Sequence, residues 1–276
     1  DRRKSKTDRS SAESVLAASL GRLDYLMILN RNGYLMGELT CKEASSSGEL
    51  ACLRFAHEQG CEWDRGTLIG AALRGHMDCL IYAHDEGLSW TSELSCKAAE
   101  GNQLNCLQYL RENGCPWDEA TVDAAAEHGH LDVLRYAIDN MCPCGSNVVK
   151  LAAGAASLPC LMFLVEERGF AMSSDAFVAA LCTADCHCVE FLVDIGCPFP
   201  VSFRNFAFEK RVRSISEFDI KLRKCLEYAQ AHGWVDGGVA VLQNRHHAVL
   251  GGLHSRIHVP HLGQHVTNQP AGHRGQ

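Results

Sequence analysis

The chain has 276 residues, 46% of them apolar, with 26 Lys and Arg against 33 Asp and Glu and a net charge of −7. That apolar content can bury a substantial core, yet no apolar run approaches the length needed to cross a bilayer and no signal-peptide pattern opens the chain. The acidic balance disfavours a phosphate backbone as the main ligand.

Residues 1 to 10 set Arg2, Arg3, Lys4, Lys6 and Arg9 against Asp1 and Asp8, a sum of +3. They are expected to be a basic, disordered leader, with a nuclear-localisation patch as the other reading. The chain opens at Asp1 without Met, as a processed form or a fragment would. From residue 11 a repeat sets in. Gly33, Gly60, Gly87 and Gly114 recur every 27 residues, and the register continues through Met141, Gly169 and Gly196 with one extra residue between Met141 and Gly169. A fixed period in this range marks a solenoid whose units stack only on their neighbours.

The first unit has Ala17 and Ala18, then an apolar segment over 23–29; the second has Ala44, then Cys52, Leu53 and Phe55. Units three to five open on Ala71–Ala72, Ala98–Ala99 and Ala125–Ala126, with Gly75, Gly101 or Gly129 two or three residues later. A segment with helical apolar spacing follows, such as Val133, Leu134, Tyr136 and Ala137. Glycine then ends it where a left-handed cap is expected, and Cys-Pro-Trp or a relative completes the loop. Thr67 and Thr121 stand four residues before their Ala pairs, where a capping hydroxyl would serve the first helix. The sixth unit has Ala152 and Ala153, the seventh Ala179 and Ala180. In an eighth, Ala207 replaces the pair, 211–220 is an insertion, and Cys225, Leu226, Tyr228 and Ala229 form the second helix. The tail from 237 loses the register, carries +3 and holds seven of the fourteen His, so it is expected to be disordered. The repeat region between leader and tail is then left at −13.

The order T-x-x-x-A-A-x-x-G-H, as at Thr67 to His76 and Thr121 to His130, followed by L-x-x-L-x-x-A and a glycine loop, resembles the ankyrin repeat. The Gly114-Cys115-Pro116-Trp117 ending is similar to a short-repeat variety of that family. The usual unit is about 33 residues, so the resemblance implies an all-α solenoid of about eight helix-turn-helix units with the β-hairpin finger trimmed or absent. It covers roughly 11–236 and implies a non-catalytic, intracellular interaction scaffold.

Fifteen Cys without a secretion signal argue for a reducing compartment. Cys52, Cys79, Cys106, Cys160, Cys188 and Cys225 share one place in the second helix, as a small buried hydrophobe would. Cys61, Cys115, Cys142 and Cys197 share the loop place after the repeat glycine. Cys182, Cys186, His187 and Cys188 could in principle ligate zinc, but no paired CxxC knuckles are present and Cys188 belongs to the core set. His76 and His130 open their second helices, where the imidazole is expected to bond neighbouring backbone. Trp63, Trp90 and Trp117 form a stripe expected to pack between successive loops, with a binding strip as the alternative.

No phosphate loop, nucleophile elbow or H-E-x-x-H motif is present, so no enzyme, cofactor or metal is expected. The partner is expected to be a protein with basic segments, met by a monomer in the cytoplasm or nucleus on the concave face of the array. Lys97, Glu100, Glu119, Asp123, Glu127 and Lys150 are the candidate contact residues. A substrate-recruiting arm of a larger assembly, such as a ubiquitin ligase, is the alternative reading, and an enzyme or metal sensor on Cys182 to Cys188 the third.

Overall fold

The computed structural model describes residues 12–198 and, further on, 221, 224, 225, 227–229, 231 and 232. The basic leader, Ala207, the 211–220 insertion and the tail from 237 lie outside the described residues. Seven helix pairs follow one another: α1 (12–19) with α2 (Leu23–Arg31), α3 (Glu38–Ser46) with α4 (Leu50–Glu58), α5 (Arg65–Arg74) with α6 (Met77–Asp85), and α7 (Ser92–Glu100) with α8 (Leu104–Glu112). Then come α9 (Glu119–Glu127) with α10 (Leu131–Asp139), α11 (Val148–Gly154) with α12 (Leu158–Met162), and α13 (Ser174–Thr183) with α14 (Cys186–Asp194). There is no strand among the described residues, so the fold is all-α and no hairpin finger projects from the short loops between pairs.

The pairs stack in chain order into two layers. First helices pack on first helices, α3 on α5, α5 on α7 and so on to α13, and second helices pack likewise, α2 on α4, α4 on α6, α8 on α10, α10 on α12 and α12 on α14. First helices lie closer together because their contact faces are small: Ala71, Ala72, Ala98, Ala99, Ala125 and Ala126 are fully buried. A Cβ at Gly101 would collide with the Leu73 carbonyl of the preceding unit. The second helices bring the larger core residues, among them Leu53, Leu80, Leu107 and Leu134, all with no exposure.

Each unit turns twice through the left-handed region. Between its helices the residue is Gly21, Gly48, Gly75, Asn102, Gly129, Ala156 or Ala184; at its end it is Gly33, Gly60, Gly87, Gly114, Met141, Gly169 or Gly196. In unit four the turning residue is therefore Asn102 (φ 58°), and Gly101 (φ −82°) serves close approach instead. Met141, Ala156 and Ala184 hold this conformation at a cost of about 1 kcal/mol each, so the stack imposes the turn even where the sequence does not favour it.

Two expectations are corrected. Thr67 and Thr121 do not cap. The caps are Asp64 and Asp118, whose carboxylates accept from the Gly66 and Ala120 N–H groups at 2.7 and 3.1 Å. Each Thr sits three residues inside its helix and is fully buried; the Thr67 hydroxyl is unpartnered, and that of Thr121 lies beside the Cys142 thiol. The helix starts earlier than the Thr suggests because a carboxylate accepts an amide better than a hydroxyl does and favours the positive helix end. The second correction concerns the Ala pair of unit seven; the extra residue itself lies between Met141 and Gly169, as expected. Leu131 and Leu158 begin their helices in register, 27 apart, but α12 runs on through Phe163–Glu167, where the Arg168 N–H reaches the Phe163 carbonyl at 3.1 Å, five residues back. This wider turn absorbs the insertion, so every later position shifts by one. The buried pair of unit seven is Ala180 and Leu181, while Ala179 is half-buried.

Candidate interaction face

The repeat-locked cysteines are structural. Core thiols are pushed up, mainly by burial: Cys52 and Cys106 to about 11, Cys79 and Cys188 to about 12. Thiols held that far from ionisation are poor nucleophiles. The loop thiols reach back to the residue ahead of their own unit's first helix. Cys61 bonds the Gly37 carbonyl at 2.9 Å, Cys115 that of Thr91 at 3.4 Å, Cys142 that of Asp118 at 3.3 Å and Cys197 that of Ser173 at 3.5 Å. Each contact spans 24 residues and closes one unit on itself.

The Trp stripe also packs. His57 stacks on Trp63 and His84 on Trp90, both with ring centroids 3.7 Å apart, and the Arg111 guanidinium lies 4.6 Å from the Trp117 ring. The other edge of each indole meets a tyrosine of the next unit, Tyr82, Tyr109 or Tyr136, at 5.8–6.3 Å. Each Trp is thus clamped between its own second helix and the following one. His130 Nε2 donates to the Glu100 carbonyl of the preceding unit at 3.0 Å, as expected. His76 does not match it: its ring lies over Gly48, where any Cβ would clash.

The Cys182 to Cys188 cluster does not converge. Cys188 is wholly buried, His187 is 80% exposed, Cys186 turns towards Cys225, and Cys182 lies on the first-helix layer. Among the described residues no group of three or more His, Cys, Asp or Glu is placed to hold a metal ion.

The six candidate contact residues all fall on the first-helix layer. Lys97 and Glu100 are tied to each other, Nζ to Oε2 at 2.6 Å, and this bond raises the lysine pKa. Glu119, Asp123 and Glu127 line one stripe of α9 at a spacing of four, and none of the three is in an ion pair among the described residues. Asp123 is half-buried, and its pKa is raised first by burial and then by Glu119 and Glu127. Lys150 is exposed on α11 and lines a groove of ≈ 320 Å³ with Gly154, Asp175, Val178, Ala179, Cys182 and Thr183. Sequence reasoning missed the α13 half of this groove. The clue lay in the period: once the extra residue is placed in Phe163–Glu167, Val178 aligns with Lys150 and Asp123, and Cys182 with Gly154 and Glu127.

Charge on the layer is uneven. Helix α5 offers Arg65 and Arg74 and no acid, while α9 offers only acids. Among the described residues no helix is long and apolar enough to cross a membrane.

No protein-family model matches the chain, and no curated protein matches it. Among solved structures it is similar to the human ASB11 ankyrin repeat domain, with a TM-score of 0.46 and 16% identity, over 55% of this chain and 82% of that one. The fold itself is defined by the helix-pair stack described above.

Proposed function

We propose that this chain is a non-catalytic protein-interaction scaffold that takes a basic segment of a partner protein along its first-helix layer, centred on α9. The tighter spacing of the first helices supports taking that layer as the inner side of a curved stack, and repeat arrays present concave surfaces to partners. The observation that carries the reading is the unpaired carboxylate stripe of Glu119, Asp123 and Glu127. Holding like charges together, one of them half out of water, is unfavourable unless a cation arrives to offset it. Ile69, Cys96 and Val178, half-buried in the same column of the layer, supply apolar contact on either side. Lys97 is already satisfied by Glu100, so it orders that edge more than it repels a basic partner.

The test is a pull-down with the full chain at low and high salt, read by mass spectrometry, beside the Glu119→Lys and Glu127→Lys double variant. A stoichiometric partner with Lys- and Arg-rich segments is expected, lost on raising the salt and lost with the double variant. A partner retained by the variant overturns the placement on α9.

A further inference from the structure

We propose that Cys186 and Cys225 are a disulfide-forming site that fastens the helical segment around Cys225 to α14, with a low-molecular-weight disulfide such as glutathione disulfide as the oxidant. Their sulfurs are 2.9 Å apart, the Cys225 thiol donating to Cys186, within about 1 Å of the ~2.05 Å of a disulfide bond. Neither cysteine is in a disulfide, so both thiols are available.

The repeat explains why a pair arises here. Cys225 occupies the core-cysteine position of the second helix, as Cys52 and Cys188 do. Cys186 is different. It is the first residue of α14, and the equivalent place in the six preceding units is Leu23, Leu50, Met77, Leu104, Leu131 and Leu158. Only in unit seven does a cysteine replace that large apolar residue, and there it faces the core cysteine of the next second helix. Tyr228 adds a second tie along the same interface, its hydroxyl donating to Asp194 at 2.9 Å.

Exposure assigns the order of events. Cys186 is half-exposed and Cys225 is fully buried. The Cys186 thiolate attacks one sulfur of glutathione disulfide, breaks its S–S bond and releases one glutathione. Cys225 then gives up its proton and attacks the Cys186 sulfur, expelling the second glutathione. Two thiols are oxidised and one disulfide is reduced to two thiols, so the exchange balances. Burial, and then the contact with Cys186, pushes the Cys225 thiol up, which makes it the slower partner and fits it to the second step. Cys41 and Cys61 interact closely too, but both are buried and present no sulfur to an incoming disulfide. The bond would span 39 residues and hold the segment around Cys225 on α14.

The full chain, titrated with oxidised and reduced glutathione, is quenched in acid, alkylated and mapped by mass spectrometry without reduction. The expected product is a peptide linking residues 186 and 225, with a rise in Tm that dithiothreitol reverses. Cys186→Ser, a near-isosteric change at a half-exposed position, removes both the cross-link and the Tm rise. Cys225→Ala stops the reaction at a single glutathione on Cys186. Stable single glutathionylation of the wild type, or cross-linking of Cys186 to another cysteine such as Cys182, overturns the proposal.

Discussion

Units three and four and the stretch from Met141 to Glu167 solve the same problem with different chemistry. In the first region a loop Trp bridges each unit to the next, held by His84 or Arg111 on one side and by Tyr109 or Tyr136 on the other. In the second, Cys144 stands where the Trp would be and is exposed. Arg135 then takes over the bridge: it pairs with Glu167 through both guanidinium nitrogens at 2.7 and 2.9 Å and lies 4.3 Å from the Phe163 ring. Arg168, paired with Asp139, approaches the same ring. Burying an aromatic ring removes a large apolar area from water, whereas an exposed ion pair gains little and is screened by salt. The comparison teaches that the Trp bridge holds units together while the Arg bridge mainly sets their register beside the widened turn.

The largest effect that could break this contrast is Trp90→Ala, expected to cost about 2–3 kcal/mol in urea unfolding, below the usual cost for a fully buried Trp because the ring is half-exposed. Cys144→Ala, at the matching place in the second region, should leave the urea midpoint unchanged. Equal losses at the two sites would mean that Cys144, and not Arg135 alone, fills the bridging role in the second region. Helix α9 lies at the border, just after Trp117, and Asp123 reports on its stripe. The folded-state pKa of Asp123 is raised above its ordinary 3.8, so the ionised form at neutral pH weakens the fold, and that loss is relieved as pH falls through the folded value. Asp123→Asn should therefore raise the urea midpoint at pH 7, and its advantage over wild type should shrink on acidification. An advantage independent of pH would place the gain elsewhere. The smallest expected effect is Glu167→Gln: a slight fall in midpoint at low salt that disappears at high salt, since both partners of the pair are exposed.

Much of the fold was legible because stacking constrains residues at a fixed spacing. The Ala pairs, the core cysteines and the loop glycines mark where backbone approaches backbone or turns left-handed, and only small or permissive residues serve there. Helix starts were less legible, since Thr67 and Asp64 are both cap-forming types and only backbone direction distinguishes them. The candidate contact residues share one repeat column region and so fall on one layer, but the pairing of Lys97 with Glu100 and the isolation of the α9 acids depend on distances in the folded chain. The Cys186–Cys225 contact was hidden for a similar reason, as nearly forty residues separate the two thiols in sequence.

By itself the sequence determined the unit: two helices, two turns and a loop, with its apolar positions repeated often enough that local pattern and packing agree. Only the tertiary structure decided where the extra residue went, which charges were already neutralised and which sulfurs met. Those depend on how one unit lies against the next, and side chains exposed or half-exposed at that boundary are not bound by the period.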